Sequence, residues 1–116
     1  MKTLDKLQSE VVQFRDERDW KQFHNFKDML LSLNLEVSEL CEHFQWKSEE
    51  EALQLEKQAL GEELSDILYW VLLLSHDLGI DLGEAFREKM AKNKEKYPVE
   101  QSRGRKEKYT KMNPQP

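Results

Sequence analysis

The sequence predicts an all-α protein, folded as a four- to five-helix bundle. Apolar residues recur every three or four positions along most of the chain, which is the period of an amphipathic helix. Charged residues make up 35% of the chain, and long stretches contain neither glycine nor proline. Cap and stop signals then divide the chain into separate helices.

A first amphipathic helix is predicted over residues 3–18. Its apolar side carries Leu4, Leu7, Val11 and Phe14, and Arg18 continues the same line. A loop with two aromatic residues and a histidine follows at residues 19–24. Asn25 is a suitable N-cap for the second helix, which is predicted over residues 26–45.

A capping box marks the start of the third helix, with Ser48 at the N-cap and Glu51 at the third helical position. The apolar pattern continues from there to Leu78, so we predict one long helix. Within it, Gly61 is expected to mark a kink or a close contact. Gly79 is a stop signal for this helix.

The fourth helix is predicted over residues 82–96, with Asp81 as its N-cap and Pro98 as the residue that ends it. Residues 99–116 are polar and basic, and we expect them to form a loose or partner-dependent tail. The sequence therefore predicts one helical domain at residues 1–98 followed by a basic C-terminal tail.

Two pairs of acidic residues lie on the second and third helices, in segments that otherwise have the pattern of buried helices. Partners three residues apart face the same side of a helix. The pairs are Glu36 with Glu39, and Glu63 with Asp66. On the second helix the expected core strip is Leu30, Leu33, Val37, Leu40, Cys41 and Phe44, with Leu31 and Leu35 on another side. On the third helix it is Leu60, Leu64, Ile67, Val71 and Leu78, with Leu73 across from it.

Packing these helices together would gather four carboxylates, which is unfavourable unless a cation neutralises them. Hard divalent cations prefer oxygen ligands, so we predict a Mg²⁺ site on Glu36, Glu39, Glu63 and Asp66. A di-iron site would require Glu-x-x-His pairs, which the sequence lacks. The alternative for any one acidic pair is an ordinary solvated helix face.

Aromatic and polar residues flank the acidic pairs. Trp70 lies one turn beyond Asp66, and Trp46 lies two turns beyond Glu39. With Trp20 and His24 in the first loop, these groups suit a nucleobase, and core packing is the alternative for each ring. On one face of the fourth helix Lys89, Asn93 and Tyr97 recur every four residues, which suits either phosphate oxygens or an exposed face.

Composition excludes several classes of protein. The net charge of −5 argues against a nucleic-acid polymer as partner. The charge is uneven, because residues 87–116 hold ten basic and four acidic residues, a net of +6, and the rest of the chain has a net of −11. The N-terminus has no apolar signal segment, and the apolar run 67–74 is too short to span a membrane, so we expect a cytoplasmic protein without a membrane partner.

Two further expectations concern burial. Cys41 lies on the expected core strip, and we predict a buried apolar side chain rather than a reactive thiol. The third helix is apolar over most of its circumference at residues 67–74, which is more than one small bundle should need. We therefore predict a homo-oligomer, either a dimer or a tetramer.

Taken together, these residues resemble the MazG-like all-α nucleoside triphosphate pyrophosphatases, and within them the dCTP pyrophosphatase branch. The two acidic pairs are common to many members, whereas the segments 20–24 and 44–47 are more particular. The likeness continues through Lys89, Asn93 and Tyr97 into the tail, so it covers nearly the whole chain. The chain is also similar to the short MazG-like proteins of bacterial mobile gene cassettes. One departure is the segment between Trp46 and Glu62, which is shorter than in the human-type enzymes.

This resemblance implies Mg²⁺-dependent hydrolysis of a deoxynucleoside triphosphate to the monophosphate and pyrophosphate, by a helical dimer or dimer of dimers. The resemblance, rather than residue spacing, selects dCTP, with Trp20, Trp46 and His24 holding the base and Trp70 near the sugar. Lys89, Asn93 and Tyr97 would contact the substrate. The implied role is to clean or balance the nucleotide pool.

Two alternatives remain open from the sequence. One is an enzyme of the same fold that acts on dUTP, a purine nucleotide or a modified nucleotide. The other is a non-catalytic helical interaction module, in which the acidic pairs are structural.

Overall fold

The computed structural model describes residues 3–108 and residue 110. Within these residues it contains helices and no strand, so the all-α prediction is confirmed. The helices are α1 (Thr3–Glu17), α2 (Phe26–Phe44), α3 (Glu49–Ala52), α4 (Lys57–Asp77), α5 (Leu82–Lys96) and α6 (Val99–Ser102), with a 3₁₀ turn at Lys21–Phe23. None of the helices in this part of the chain combines the length and apolar character needed to cross a membrane.

Local side-chain caps start three of these helices where the sequence indicated. The Asn25 side chain accepts a hydrogen bond from the Asp28 N–H, and the Asp81 side chain accepts one from the Glu84 N–H. Ser48 forms the complete capping box with Glu51. Each cap satisfies backbone donors that have no partner within the helix, so the helix boundaries follow from local chemistry.

The prediction of one long third helix is wrong, because the structure has two helices, α3 and α4, in that segment. After α3 the backbone hydrogen bonds span three residues instead of four, as in the 3.0 Å bond from the Gln54 N–H to the Glu51 carbonyl. The extended backbone of Glu56 then starts α4. Neither glycine nor proline marks this break, so no local signal for it is present in the sequence. Gly61 lies within continuous α4, and a Cβ at this position would meet nothing within 4 Å, so the expected kink or close contact is absent.

The chain forms two compact units, one up to Ile80 and one from Asp81 onward. In the second unit α6 begins after Pro98, so the expected loose tail is wrong for residues 99–102, where Pro98 supplies a favourable N-terminal conformation. The predicted division of the chain at residue 98 into a domain and a tail stays a prediction.

In the first unit α4 packs against both α1 and α2. Three apolar side chains of the described residues are fully buried: Met29, Leu72 and Leu73. Two polar residues attach α1 to α4. Gln8 donates hydrogen bonds of 3.0 Å to the Leu72 carbonyl and the Ser75 hydroxyl. Arg15 is completely buried and forms a two-pronged ion pair with Asp77, at 2.7 and 3.1 Å.

These contacts correct the predicted apolar side of α1. Leu4 and Val11 are half-buried as expected, but Leu7 and Phe14 are exposed. Arg18 lies beyond the helix, with its guanidinium 3.9 Å from the centre of the Phe14 ring. The helix is rotated so that Gln8 and Arg15 can reach hydrogen-bond acceptors on α4, and this places the two exposed apolar residues outward.

Candidate active site

The surface of α2 that faces α4 differs from the predicted core strip. The buried or half-buried side chains of α2 are Met29, Ser32, Leu33, Glu36, Leu40 and His43. Leu30, Val37, Cys41 and Phe44, which we call the outer strip of α2, are exposed, so the prediction was wrong for these four residues. The helix is rotated to bury Met29 and to turn its acidic line toward α4. The outer strip therefore faces away from α4.

The prediction for α4 was more accurate. Leu60, Ile67 and Val71 are half-buried, and Leu73 is fully buried. Leu64 and Leu78 are exposed, contrary to the prediction. Leu73 was expected on the outer side of the helix, but it is buried because α4 has packed neighbours on two sides. The same central position places Glu63 and Trp70 in half-buried surroundings.

The orientation of α2 against α4 brings together three of the four predicted acidic residues. Glu36, Glu39 and Glu63 each offer a carboxylate oxygen, and these oxygens lie within 4.8 Å of one another. Glu36 and Glu63 are half-buried, whereas Glu39 is exposed. We call these three residues the acid cluster. Asp66 is exposed one helical turn after Glu63, close enough for its charge to act on Glu36.

Burial and like charge act together on Glu36. Its pKa is raised from 4.5 to about 7, mainly by burial and further by a hydrogen bond with Glu39 and the negative charges of Glu39, Asp66 and Glu63. One oxygen of Glu36 and one of Glu63, the Oε2 atom in each, are buried without a hydrogen-bond partner. Such unpaired acceptors are costly, and a bound cation would satisfy them.

The donor set fits a hard divalent cation. All three residues supply carboxylate oxygens, which are the ligands that Mg²⁺ and Mn²⁺ prefer. Two oxygens bound to one Mg²⁺ ion are at most about 4.2 Å apart, which is twice the usual Mg–O distance. The oxygens of the acid cluster lie within 4.8 Å of one another, so small side-chain rotations would bring them within that span. The cluster opens into a cleft of about 470 Å³ lined by Glu39, Glu42, His43 and Glu63. In this cleft the His43 Nε2 atom lies 3.6 Å from the Glu63 Oε1 atom.

An aromatic group lies further along α4. The rings of His24 and Trp70 meet edge to face with their centres 5.2 Å apart, and Trp70 meets Tyr69 in the same way at 5.1 Å. Tyr69 contacts Phe14 at 6.1 Å, and Phe14 contacts Trp20 at 5.6 Å. The rings of Phe14 and Tyr69, which the sequence did not indicate as site residues, therefore connect three predicted substrate-binding residues: Trp20 and His24, predicted to hold the base, and Trp70, predicted to lie near the sugar.

His24 has an unsatisfied polar atom in this aromatic group. Its Nδ1 atom is buried without a partner. Burial lowers the pKa of His24 from its usual 6.5, and the nearby charge of Arg15 lowers it further. The lowered pKa favours the neutral imidazole. A neutral imidazole can donate through one nitrogen and accept through the other, as recognition of a base edge requires.

The remaining predicted site residues lie apart from these rings or in the second unit. Trp46 follows α2 in a left-handed backbone conformation with φ of 66°, and its side chain is 90% exposed. On α5, Lys89 is exposed and Asn93 is half-buried, and the Tyr97 N–H closes the helix by bonding to the Asn93 carbonyl. The roles predicted for these four residues stay predictions.

Sequence reasoning missed the Arg15–Asp77 pair and the position of His43 beside Glu63. A signal for Arg15 was available, because it lies four residues after Val11 on the inward side of α1. His43 lies four residues after Glu39 and so on the same side of α2, but only the packing of α2 on α4 brings it to Glu63.

Comparison with known proteins gives consistent matches. The MazG-like family model matches residues 31–112. Mouse dCTP pyrophosphatase 1 is 43% identical over 113 residues, covering 93% of this chain and 66% of the mouse protein. The human protein of that name is 39% identical over 115 residues, covering 95% of this chain and 68% of its own length. The chain thus spans about two thirds of these relatives.

A solved structure is also similar to this chain. A pyrophosphatase from Archaeoglobus fulgidus superposes with a TM-score of 0.77 and 36% sequence identity. The match covers 84% of this chain and 94% of the archaeal one. At this identity and coverage, the similarity extends over almost the whole archaeal fold.

Proposed function

Because this chain belongs to the MazG-like family, we propose that it is a Mg²⁺-dependent nucleoside triphosphate pyrophosphohydrolase that converts dCTP to dCMP and pyrophosphate. The observation that carries this proposal is the convergence of three carboxylates, two of them with a buried unpaired oxygen. Relatives named dCTP pyrophosphatase 1 support the substrate, and the archaeal neighbour named a pyrophosphatase supports the reaction.

The acid cluster, with Asp66, would hold the metal. When bound, Mg²⁺ would neutralise the triphosphate and lower the pKa of a water molecule. Attack of a water oxygen on the α-phosphorus would break the bond from that phosphorus to the bridging oxygen and release pyrophosphate. We assign the proton of the attacking water to Glu39, the exposed member of the cluster, which water can reach.

The aromatic group is the proposed base site. Trp70 lies one helical turn after Asp66, so a nucleotide held at the acids would extend toward Trp70 and His24. Stacking on a ring tolerates every base, so discrimination must come from hydrogen bonds. The unpaired Nδ1 atom of His24 is a group that a pyrimidine edge would satisfy. Trp20 and Trp46 are proposed to complete the site, as the family resemblance implies.

The substrate contacts of the second unit are proposed from the family resemblance. Lys89 supplies a positive charge for phosphate oxygens, and Asn93 and Tyr97 supply an amide and a phenol for further hydrogen bonds. They lie at four-residue intervals, so all three face one side of α5 and its C-terminus.

We also propose that the active form is a homodimer or a dimer of dimers. The outer strip of α2 exposes 59% of Leu30 and 42% of Phe44, although such residues are normally buried. A second copy of this chain would cover these side chains. A cytoplasmic location, with nucleotides rather than nucleic-acid polymers or membranes as partners, accords with a nucleotide-pool role.

The function is tested by measuring pyrophosphate release from dCTP, dTTP, dUTP, dATP and dGTP under one set of Mg²⁺ conditions. We expect the highest kcat/KM with dCTP and loss of most activity in Glu36→Gln and Asp66→Asn. Glu10→Gln, an exposed acid on α1, is the matched control and should retain full activity. A clear purine preference would point to another substrate of the same fold. No pyrophosphate release from any nucleotide would favour an interaction module.

A further inference from the structure

His43 places a nitrogen donor against the acid cluster. It lies one helical turn after Glu39 on α2 and lines the same cleft as Glu39, Glu42 and Glu63. Its Nε2 atom is 3.6 Å from the Glu63 Oε1 atom, and both side chains are mostly shielded, at 34% and 20% exposed. Shielding from water strengthens an electrostatic contact at this distance.

The two oxygens of Glu63 have different surroundings. Oε1 faces His43, whereas Oε2 is buried and has no hydrogen-bond partner. A carboxylate that rotates freely about its last bond would exchange these atoms. An imidazole with its proton on Nε2 favours one orientation, because that N–H can interact with Oε1 and leave Oε2 for another ligand.

We propose that His43 is a positioning residue, which orients the Glu63 carboxylate and thereby strengthens binding of a divalent cation at the acid cluster. This inference rests on the proposed function. Residues that orient metal ligands typically change metal affinity by about 10–100-fold when they are removed. His43 acts through Glu63 and does not itself contact the metal.

The test uses the full chain without nucleotide and Mn²⁺ as the probe, with free Mn²⁺ measured by electron paramagnetic resonance. We expect His43→Leu to raise the Mn²⁺ dissociation constant by about tenfold. His43→Gln, whose side-chain N–H can occupy the place of Nε2, should restore binding to within about threefold of the original protein. His76→Leu is the matched control, since His76 is an exposed histidine near the end of α4.

Enzyme kinetics give a second readout. The Mg²⁺ concentration for half-maximal pyrophosphate release should rise by the same factor in His43→Leu, while kcat at saturating Mg²⁺ stays within about threefold. A general loss of structure would lower kcat at every Mg²⁺ concentration. If His43→Leu does not fold, as judged by circular dichroism, His43→Ala and His43→Gln carry the same comparison.

Several outcomes would overturn the inference. Unchanged Mn²⁺ affinity in both His43→Leu and His43→Ala would do so, as would a nitrogen coupling to bound Mn²⁺ that disappears in these variants and so reveals a direct ligand. A protein that binds no Mn²⁺ at all would also refute it. By contrast, Mn²⁺ binding that depends on His43, without hydrolysis of any nucleotide, would support the inference and contradict the proposed function.

Discussion

At the scale of single residues, Glu36 combines partial burial with three neighbouring negative charges. Its pKa of about 7, against 4.5 in the unfolded chain, means that folding favours its protonated form. Ionisation of Glu36 therefore opposes folding of the metal-free protein. The cost is fully present above pH 7 and disappears as the pH falls toward 4.5. A site that is unfavourable when empty is well suited to bind a cation.

Glu36→Gln should consequently stabilise the metal-free protein while removing most of the activity. We expect a gain of about 1–2 kcal/mol in the free energy of unfolding at pH 8, allowing for solvent screening of a half-buried group, and no gain at pH 4.5. Urea denaturation in EDTA at both pH values measures this. Glu10→Gln is the control. An equal effect of the two substitutions at pH 8 would contradict the conclusion that ionisation of Glu36 opposes folding.

The aromatic group gives a second residue-scale prediction. Trp70→Ala should raise KM for dCTP by a factor equivalent to about 1–3 kcal/mol, because the ring would no longer stack on the nucleotide. Trp46→Ala should have an effect in the same range if its exposed ring closes over the base. Phe23→Ala, an exposed aromatic residue in the same loop as Trp20, is the control. Unchanged KM in both tryptophan variants would refute the base site.

At the scale of helices, the Arg15–Asp77 ion pair joins the end of α1 to the end of α4. Burial alone would raise the pKa of Asp77, but the hydrogen bonds and charge of Arg15 outweigh it and hold that pKa below 3.8. The stability that Asp77 contributes is therefore present above pH 3.8 and is lost as the pH falls through its lower folded-state value. The same pair lies close enough to His24 for its charges to act on the imidazole.

Removing one partner of this pair should be costly. Asp77→Asn keeps the shape of the side chain but removes the two-pronged partner of the buried Arg15, whose remaining ion pair is the 3.3 Å contact with Asp16, so we expect a loss of about 3 kcal/mol at pH 7. The double variant Arg15→Met/Asp77→Leu should recover much of that loss, since it buries no charge. Arg18→Met is the exposed control. Chemical denaturation measures all four proteins, and a loss below about 1 kcal/mol in Asp77→Asn would contradict this role.

At the scale of the whole molecule, the described residues bury few apolar side chains completely, while the outer strip of α2 remains exposed. The two observations have one explanation in the proposed oligomer. The orientation of α2 places its acidic residues in the acid cluster and exposes its apolar strip, which a second copy of the chain would cover in the proposed oligomer.

Val37→Lys should therefore dissociate the oligomer, because a charge would be placed within an apolar interface. Sedimentation velocity at micromolar concentration should show a dimer or tetramer for the original chain and a smaller species for the variant. Leu7→Lys is the control, since Leu7 on α1 is exposed to nearly the same extent, 37% against 38% for Val37. A monomeric original chain would refute the proposed assembly.

The sequence by itself determined the helical class, the ends of α1, α2 and α5 to within one residue, and the acidic residues of the candidate site. It could do so because helix period, caps and spacing along one helix are local properties, as with Asn25, Ser48 and Asp81. The break before α4 escaped prediction because no glycine or proline marks it.

Only the tertiary structure decided how each helix is turned about its axis. Both sides of α2 carry apolar residues, so sequence pattern could not tell whether Val37 or Glu36 would face α4. Packing against α4 made that choice, and the same choice exposed Cys41 and brought His43 to Glu63. The packing of α1 on α4 likewise buried Arg15 against Asp77. These contacts join residues far apart in the chain, and their energies depend on burial that exists only once the helices have packed.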